Sequence, residues 1–563
     1  MNRLTHIAVC FVLLASGACS KSSGSGGDDD DDAPSLTSID IAPADVLLVL
    51  ATSASGTQAF TATGHYDDES TADLTAEVSW SVANASIGSF TSATLEVASL
   101  GSIGADGSVV GATLGDIEGE AYLTVVALGT ADTLFTVRHL DVGGPMSENV
   151  ALVTQRVAAT DVFFLVDVTG SMLGEISNLQ ATITATIIPG IKAEIPNTQI
   201  GVGAFADFPV DPYGSTNAGA DCPGASSLAD QPFSLKQVVT SNATAALVGV
   251  NALRTATAPI GCGKDAPESS IEGLYQVATG EGLNTPSPTN VAAASVGFRE
   301  DAASIVLVIS DAYSHAPGET TACGTTTADY AGTVATVAHS RAATKTALTN
   351  ACVKVLGVAS DPGAVPSPAC RADADLTDFA KATGARIPPS GWDVPSRPAG
   401  CAPNQCCTGI NGVGLAADTD GLCSLVFRTD SNGAGLGTPV IRGFSSLTRY
   451  AGAGIGVSAI GETESVSGVP LASGTTADFL ESVTPLSFVE PAAPPVLPDP
   501  TFDPNGFYGV APGTELTYGV SVFNDVATEM DAPQLFRVRL QLTADGCELV
   551  GERTLLFLVP SVH

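Results

Sequence analysis

The stretch "VFFLVDVTGSM" (residues 162–172) consists of an unbroken apolar run followed directly by a group of residues with oxygen-bearing side chains. Five consecutive large apolar residues without alternation are typical of a strand buried on both faces of a parallel sheet. Asp167, Thr169 and Ser171 follow at alternate positions. Such a cluster at the end of a buried strand predicts either a helix cap or a ligand site at the edge of the sheet.

Three further apolar runs have the same character: "IGVGAFA" (200–206), "SIVLVIS" (304–310) and "VKVLGVA" (353–359). Helical patterns lie between them, with apolar residues at three- and four-residue spacing, as in Met172, Ile176, Leu179, Ile183 and Ile187. Buried strands that alternate with amphipathic helices form a parallel, doubly wound sheet. We therefore predict a central Rossmann-like α/β domain over residues 146–452.

The segments on either side of this domain alternate apolar and polar residues instead. Short strands with turn signals between them predict one all-β sandwich over residues 36–138 and a second over residues 453–563. The first segment, "TQAFTATGHYDDESTADLTAEVSWSVANASIGSF" (57–90) with "GSVVGATLGDIEGEAYLTV" (107–125), resembles a bacterial immunoglobulin-like repeat. The predicted molecule is multidomain, with the α/β domain flanked by two sandwiches.

Charge and motif content restrict the function. The 563 residues carry 59 acidic and 22 basic side chains and a net charge of −37, which argues against nucleic acid as a partner because nucleic-acid binding requires a basic surface. No nucleophile elbow, P-loop or dinucleotide fingerprint is present, and the histidines are few and scattered. We expect a protein that is not an enzyme.

The first 35 residues have the composition of a targeting segment and a tether. A basic residue, the apolar run "IAVCFVLLA" and the small residues "SGAC" (16–19) resemble a bacterial lipoprotein signal over residues 1–19. In such signals the final cysteine, here Cys19, is lipidated. Residues 20–35 include "SKSSGSGGDDDDD", which predicts a flexible, acidic tether. Ser20 resembles an outer-membrane sorting residue; secretion and soluble release is the alternative.

Ten of the 12 cysteines follow the signal segment. An even number of cysteines in an exported chain predicts disulfides. Zinc is the alternative for the group Cys401, Cys406, Cys407 and Cys423. Disulfides are favoured because paired C-x-x-C spacing is absent and no histidine lies nearby.

Acidic residues also follow two other strands and open one helix. Asp207 follows "IGVGAFA", Asp311 follows "SIVLVIS", and "GKDAPESS" (263–270) brings Asp265 and Glu268 to the start of a helix. Ligands of a doubly wound sheet bind beyond the carboxyl ends of its strands. A set made only of oxygen ligands suits a hard divalent cation, Mg²⁺ or Ca²⁺. His315 is predicted to be a surface or packing residue rather than a ligand.

These motifs resemble the metal-ion-dependent adhesion site of von Willebrand factor A domains, and most closely the I-like domain of integrin β subunits. D-x-[ST]-G-S stands at 167–171, and "IGVGAFADFPVDPY" (200–213), "GKDAPESS" and "FREDAASIVLVISDAYSH" (298–315) follow in the order that this family shows. The resemblance covers roughly residues 160–360. It implies an α/β fold with a cation at the end of the first strand.

The resemblance also implies two groups of ligands. The first site would consist of Asp167, Thr169, Ser171, Glu268 and Asp311. The second site, which we expect to be weaker, would consist of Asp207, Asp265, Pro267 through its carbonyl, and Glu268. Gly263 stands where the family has an amide side chain at this second site.

The combined prediction is an outer-membrane, lipid-anchored cell-surface adhesin. Its α/β domain would bind an extracellular partner or surface that supplies a carboxylate, through Mg²⁺, Ca²⁺ or Mn²⁺. The layout resembles the integrin-like adhesion lipoproteins of gliding bacteria. The alternative is a periplasmic or outer-membrane scaffolding lipoprotein in which the metal is structural.

Overall fold

The computed structural model describes residues 34–141, 143–155, 159–283, 291–300, 302–323, 326–360, 370–393, 397–433, 437–450, 453–491 and 500–562. The predicted signal segment, Cys19 and nearly all of the predicted tether lie outside these residues. The chain divides into two compact units. One contains the residues up to Gly101 together with Gly107–Val126, and the other contains Ser102–Asp106 and the residues from Ala127 onward.

The first unit is built from short strands in three sheets, ordered β1-β4-β5, β2-β10-β9-β6 and β3-β8-β7. Its strands are β1 Leu36–Ala42, β2 Asp45–Ala51, β3 Gly56–Ala59, β4 Thr61–Tyr66, β5 Thr71–Asp73, β6 Ser79–Val82, β7 Gly88–Thr91, β8 Thr94–Val97, β9 Gly104–Leu114 and β10 Ile117–Leu128. Trp80 packs against their shared core and stacks on Phe90, with ring centroids 5.5 Å apart. The immunoglobulin-like assignment of this unit stays a prediction.

The second unit begins with two strands, β11 Thr133–Thr136 and β12 Met146–Val153, and continues into the α/β domain. The strands of that domain are β13 Ala159–Asp167, β14 Asn197–Phe205, β15 Ser234–Thr240, β16 Ala303–Ser310, β17 Ala322–Cys323, β18 Thr326–Thr327, β19 Val353–Ser360, β20 Arg386–Ile387, β21 Gln405–Cys406, β22 Leu415–Ala416, β23 Cys423–Ser424 and β24 Val426–Thr429. Its helices are α1 Leu173–Thr182, α2 Ile188–Glu194, α3 Ala218–Asp221, α4 Ala243–Asn251, α5 Ser270–Thr279, α6 Arg341–Asn350, α7 Ala372–Ala382 and α8 Gly437–Tyr450. A 3₁₀ turn, Gly170–Met172, precedes α1, and a π-helical turn, Ile183–Ile187, joins α1 to α2.

The main sheet of the α/β domain has six strands in the order β15-β14-β13-β16-β19-β24. All neighbours pair in parallel except β15, which is antiparallel to β14. Every residue of β13 is buried, because the strand lies in the sheet interior with helices covering it. The predicted helical spacing is also confirmed: Met172, Ile176, Leu179, Ile183 and Ile187 are all buried in the same core.

The strand order creates a crevice between β13 and β16. The chain leaves β13 for β14 on one side, and it leaves β16 for β19 on the other side. Crossovers that depart in opposite directions leave a gap beyond the carboxyl ends of the two strands, which is where ligands of doubly wound sheets bind. Asp167 ends β13 and Asp311 directly follows β16, so both acids lie at this gap.

The remaining strands follow the α/β domain: β25 Ala453–Gly461, β26 Leu480–Val489, β27 Thr501–Asp503, β28 Gly506–Val510, β29 Glu515–Val522, β30 Gln534–Ala544 and β31 Glu548–Val559. They form a six-stranded sheet, β11-β31-β30-β25-β28-β27, and a three-stranded sheet, β12-β29-β26. Both sheets contribute side chains to one apolar core. The alternating residues Leu516, Tyr518, Val520 and Val522 of β29 are all buried in it.

This pairing moves the predicted domain boundaries. We predicted that residues up to 138 belong to the first sandwich and that the α/β domain starts at residue 146. Instead, β11 pairs in parallel with β31, and β12 pairs antiparallel with β29, from Met146 opposite Val522 to Val153 opposite Glu515. The alternating pattern identifies a strand but not its partner, and these partners lie hundreds of residues away.

The ten cysteines of the body form five disulfides, as the even count predicts. The pairs are Cys222–Cys262, Cys323–Cys370, Cys352–Cys547, Cys401–Cys407 and Cys406–Cys423. The four cysteines for which zinc was the alternative are therefore bonded to one another. Within the described ranges, no helix is long and apolar enough to span a bilayer.

Candidate metal centre

The turn that leaves β13 directs both carboxylate oxygens of Asp167 into hydrogen bonds at the crevice. Oδ1 accepts from the backbone N–H of Thr169 at 2.9 Å and from its hydroxyl at 2.7 Å. Oδ2 accepts from the hydroxyl of Ser310, the last residue of β16, at 2.8 Å. Thr169 stands at the N-cap of the 3₁₀ turn, but its side chain makes no capping bond. Capping therefore does not account for the side chain of Thr169.

Asp311 and Ser171 lie at the same crevice, beyond the carboxyl ends of β16 and β13. Burial raises the pKa of Asp311 and the nearby Ser171 side chain lowers it, and Asp311 lies close enough to Asp167 for the two charges to interact. Ser171 is solvent-exposed, whereas Asp167 and Thr169 are buried. The acids of this group are therefore buried, whereas the Ser171 hydroxyl at its edge is accessible to solvent.

Glu268 reaches the same place from the loop before α5. Its backbone N–H donates to the carbonyl of Tyr313 at 2.8 Å, and its carbonyl accepts from the N–H of His315 at 2.7 Å. This short parallel bridge holds the loop against the segment that follows β16. The Glu268 side chain is buried, and its Oε2 has no hydrogen-bond partner among the described residues.

The electrostatics of these acids are unfavourable without a cation. Burial, reinforced by the charge of Asp311, raises the pKa of Asp167 to about 7. Burial, followed by the charges of Asp167 and Asp207, raises the pKa of Glu268 well above its ordinary value. In the described part of the chain, no lysine or arginine pairs with Asp167, Glu268 or Asp311. Buried carboxylates that lack a counter-charge are strongly destabilising, and a divalent ion supplies that charge.

The predicted second-site residues also lie together. Ligand atoms of Asp207, Asp265 and His315 all lie within 4.8 Å of one another. Glu268 lies close enough to Asp207 and Asp265 for their charges to act on it, so it is shared between the two groups. Pro267 is buried next to Glu268. The structure thus brings together the residues that were predicted for each site; their role as cation ligands stays a prediction.

The sequence predicts that His315 is a surface or packing residue rather than a ligand. The residue is not at the surface; it packs against Tyr213 and Tyr330 and lies beside two of the acids. Its side chain is 1% exposed, and Nε2 lies 3.1 Å from Oδ2 of Asp265 and 3.8 Å from Oδ2 of Asp207. The sequence signal was its position four residues after Asp311, in a segment that must pass the carboxyl end of β16. We discounted it because the remaining candidates were all oxygen ligands.

Two supporting residues had no sequence signal. Tyr330 donates its hydroxyl to Oδ1 of Asp207 at 2.6 Å from a loop far along the chain. Asp230 is buried and accepts three backbone N–H bonds, from Ser215 at 2.7 Å, Cys262 at 2.9 Å and Gly263 at 3.0 Å. Both depend on loop packing, which composition and periodicity do not reveal.

Asp230 and a disulfide fix the loop that backs the first site. Cys262 is bonded to Cys222, and its carbonyl accepts from the N–H of Gly170 at 3.0 Å. The N–H of Gly261 donates to the carbonyl of Val168 at 3.0 Å. The turn that carries Thr169 is therefore bonded to a loop that is itself held at several points, which preorganises the site.

Comparison with known proteins supports the fold of this domain. Residues 156–338 match the profile of the integrin beta chain VWA domain. The central α/β domain is VWA-like. No curated protein matches the chain.

Two solved structures show weak overall likeness. A von Willebrand factor type A protein from Catenulispora acidiphila is 11% identical, with 77% of this chain and 72% of that chain covered and a TM-score of 0.26. The open conformation of the pilus adhesin SpaC from Lactobacillus rhamnosus GG is 12% identical, with 74% of this chain covered and a TM-score of 0.25. This chain spans 46% of the length of that SpaC structure.

The donor set at the crevice fits a hard divalent cation. Its donors are two acids and two hydroxyls from the ends of β13 and β16, and one further acid from the loop before α5. Mg²⁺ and Ca²⁺ take oxygen ligands of this kind. The two hydroxyls are neutral donors, so they add no negative charge to that of the three carboxylates. An exposed edge at Ser171 leaves access for a ligand from solution.

Proposed function

We propose that this chain is a cell-surface adhesin whose VWA-like domain binds a carboxylate-bearing partner through a divalent cation at the first site. Asp167, Thr169, Ser171, Glu268 and Asp311 would hold the ion, and the bound ion would attract the partner's carboxylate. The observation that carries the proposal is the convergence of buried, uncompensated acids with two hydroxyls at an exposed strand end. The site acts by binding and not by catalysis.

Three features of the chain itself support binding that depends on a cation. The buried acids repel one another, so the site does not accept an incoming carboxylate unless a cation is present. Asp230 and the Cys222–Cys262 disulfide hold the surrounding loop in place. Ser171 is exposed beside the buried Asp167, so an external acid reaches the ion without rearrangement of the sheet.

The test compares adhesion of the purified protein to two surfaces that differ only in charge. One surface presents carboxyl groups and the other their methyl esters. We expect Mg²⁺-dependent binding to the carboxyl surface alone, and loss of that binding in chelator or in Asp167→Ala. The control Asp116→Asn removes an exposed acid outside the α/β domain and should bind normally. Unchanged binding of Asp167→Ala in excess chelator would contradict the proposal.

We further propose that Cys19 is lipidated and anchors the protein to the outer membrane, facing outward. The support is the signal-like segment 1–19 and the acidic stretch after it. The two predicted sandwich domains would flank the VWA-like domain in this layout. Protease treatment of intact cells should remove the protein. Full protection, with cleavage only after lysis, would instead favour the periplasmic scaffolding alternative.

A further inference from the structure

The second site differs chemically from the first because a histidine nitrogen lies among its carboxylate oxygens. His315 Nε2 lies between Oδ2 of Asp265, at 3.1 Å, and Oδ2 of Asp207, at 3.8 Å. The imidazole is fixed by two aromatic neighbours: Tyr213 meets it edge-on with centroids 5.0 Å apart, and Tyr330 stacks on it at 4.7 Å. Its Nε2 is therefore held in position beside the two carboxylates.

Unpartnered atoms point independently to a ligand at this place. Oδ1 of Asp207 is saturated, because it accepts from the Tyr330 hydroxyl at 2.6 Å and from the backbone N–H of Phe208 at 2.6 Å. Oδ2 of Asp207 has no hydrogen-bond partner among the described residues, and neither has Oδ1 of Asp265 or Oε2 of Glu268. Asp207 is fully buried. Buried polar atoms without partners are rare in folded proteins and call for an ion or a water.

Position 263, in the loop that carries Asp265 and Glu268, contributes no side chain to this group. Gly263 has φ +69°, and a Cβ at this position would lie 2.4 Å from Oε1 of Glu268. A side chain at this position would require the Glu268 carboxylate to move, and with glycine there the group gains no further oxygen ligand from it. The imidazole of His315 is the further polar side chain that lies beside these carboxylates.

We infer that the second site is a mixed nitrogen–oxygen centre, formed by His315, Asp207, Asp265 and Glu268, that takes a first-row transition-metal ion such as Zn²⁺ or Fe²⁺. Imidazole suits these ions, whereas Ca²⁺, Mg²⁺ and Mn²⁺ favour oxygen ligands. Mn²⁺ serves below only as the paramagnetic probe of the site. The inference extends the proposed function, because it rests on cation binding at this edge of the sheet and assigns the two sites to different ions.

The alternative is a metal-free cluster in which a protonated His315 serves as the counter-ion of Asp207 and Asp265. The two cases differ in a spectroscopic signature. Mn²⁺ bound through imidazole shows coupling to ¹⁴N in pulsed electron paramagnetic resonance, and Mn²⁺ bound by oxygens alone does not. The wild-type chain with Mn²⁺ alone as the probe gives this measurement without any substitution.

We expect nitrogen coupling in the wild type and its loss in His315→Gln. Mn²⁺ affinity of the second site should fall at least about tenfold in that variant, since loss of even an outer-shell partner costs this much. The matched control is His65→Gln, which alters another histidine–carboxylate pair, with Asp40 at 2.9 Å, and should leave the signal unchanged. Absence of nitrogen coupling in the wild type, or its persistence in His315→Gln, would overturn the inference.

The same samples separate this inference from the proposed function. Asp167→Ala should lose adhesion to the carboxyl surface while it keeps the nitrogen-coupled Mn²⁺ signal. His315→Gln should lose that signal, whereas His65→Gln should keep both the signal and Mg²⁺-dependent adhesion, because His65 lies outside both sites. A signal that stays intact in His315→Gln, with adhesion lost in Asp167→Ala, would reject the mixed centre and leave the first site supported.

Discussion

Asp167 shows how strongly a single buried acid depends on its surroundings. Its two oxygens accept three hydrogen bonds, yet burial and the charge of Asp311 still raise its pKa to about 7. In the unfolded chain its pKa is about 3.8. Between these two values the folded, cation-free protein binds a proton that the unfolded chain has released. The folded state therefore loses stability as the pH rises from about 4 to about 7.

The first prediction follows from this loss of folding stability as the pH rises. Without divalent ions, Asp167→Asn should be more stable than wild type at pH 7, and the difference should shrink toward pH 4. A shift from 3.8 to about 7 corresponds to an upper bound of roughly 4 kcal/mol, at about 1.4 kcal/mol per unit. Saturating Mg²⁺ should stabilise the wild type alone. Urea titrations at several pH values, with and without Mg²⁺, measure this. A difference that does not change with pH would contradict it.

Gly263 gives a second prediction, because it lies against a site acid. A Cβ there would lie 2.4 Å from Oε1 of Glu268, so Gly263→Ala should displace that carboxylate, destabilise the fold by about 1–3 kcal/mol and weaken cation binding. Gly384→Ala is the matched control: its φ is +71°, but nothing lies within 4 Å of the added methyl. Calorimetric titration with Mg²⁺ should show weakened binding in Gly263→Ala only; equal binding in both variants would reject the clash.

Several secondary-structure elements meet at the crevice, and each contributes a different part of the site. β13 ends in Asp167, β16 ends in Ser310 with Asp311 after it, and the loop before α5 carries Glu268. The adjoining loop that contains Cys262 contributes backbone bonds to the turn after β13. Because the parallel strands end at one edge of the sheet, residues far apart in the chain meet there.

The third prediction concerns Asp230, which anchors that adjoining loop. Asp230→Ala removes the acceptor for three backbone N–H groups and leaves them buried without partners, at a cost of about 1–3 kcal/mol for each unsatisfied group. Hydrogen exchange of the backbone N–H groups of residues 260–263 should become faster, and Mg²⁺-dependent adhesion should weaken. The control Asp211→Ala removes an exposed acid near the same loop and should leave exchange there unchanged. Unaltered exchange in Asp230→Ala would show that other contacts hold the loop.

Within the second unit, the α/β domain is linked to the sheets that the last strands form. Cys352, just before β19, is bonded to Cys547, in the turn between β30 and β31. Lys354 lies 3.6 Å from carboxylate oxygens of both Asp545 and Glu548 in the same region. The disulfide spans 195 residues of sequence. A cross-link of this span restricts the unfolded chain far more than a short one does.

The fourth prediction compares this disulfide with a short one. The lost entropy of the unfolded chain is expected to stabilise the fold by roughly 5 kcal/mol for the Cys352–Cys547 disulfide. For Cys401–Cys407, whose separation is 6 residues, the expected stabilisation is roughly 2 kcal/mol. Replacing both cysteines of the long link with alanine should therefore lower the melting temperature more than the same change in the short link. Scanning calorimetry of the two double variants measures this. The opposite order would show that native-state packing around Cys401 outweighs chain entropy.

Local pattern was sufficient to predict the four buried parallel strands of the α/β domain and the acids of the candidate site that follow three of them. "VFFLV", "SIVLVIS", "VKVLGVA" and all of "IGVGAFA" except its last residue lie in strands of the main sheet, because a strand buried on both faces requires a continuous apolar run. Acids directly after such strands must lie at their carboxyl ends. Asp167, Asp207 and Asp311 were therefore identifiable from sequence alone.

Long-range packing decided which strands pair outside the main sheet and which further residues lie at the candidate sites. The partners of β11 and β12 are C-terminal strands, and alternation carries no information about pairing across the α/β domain. His315, Tyr330 and Asp230 acquire their roles only because separate loops fold against one another. A side chain's chemistry is local, but its distance from another side chain depends on how the whole sheet and its loops pack.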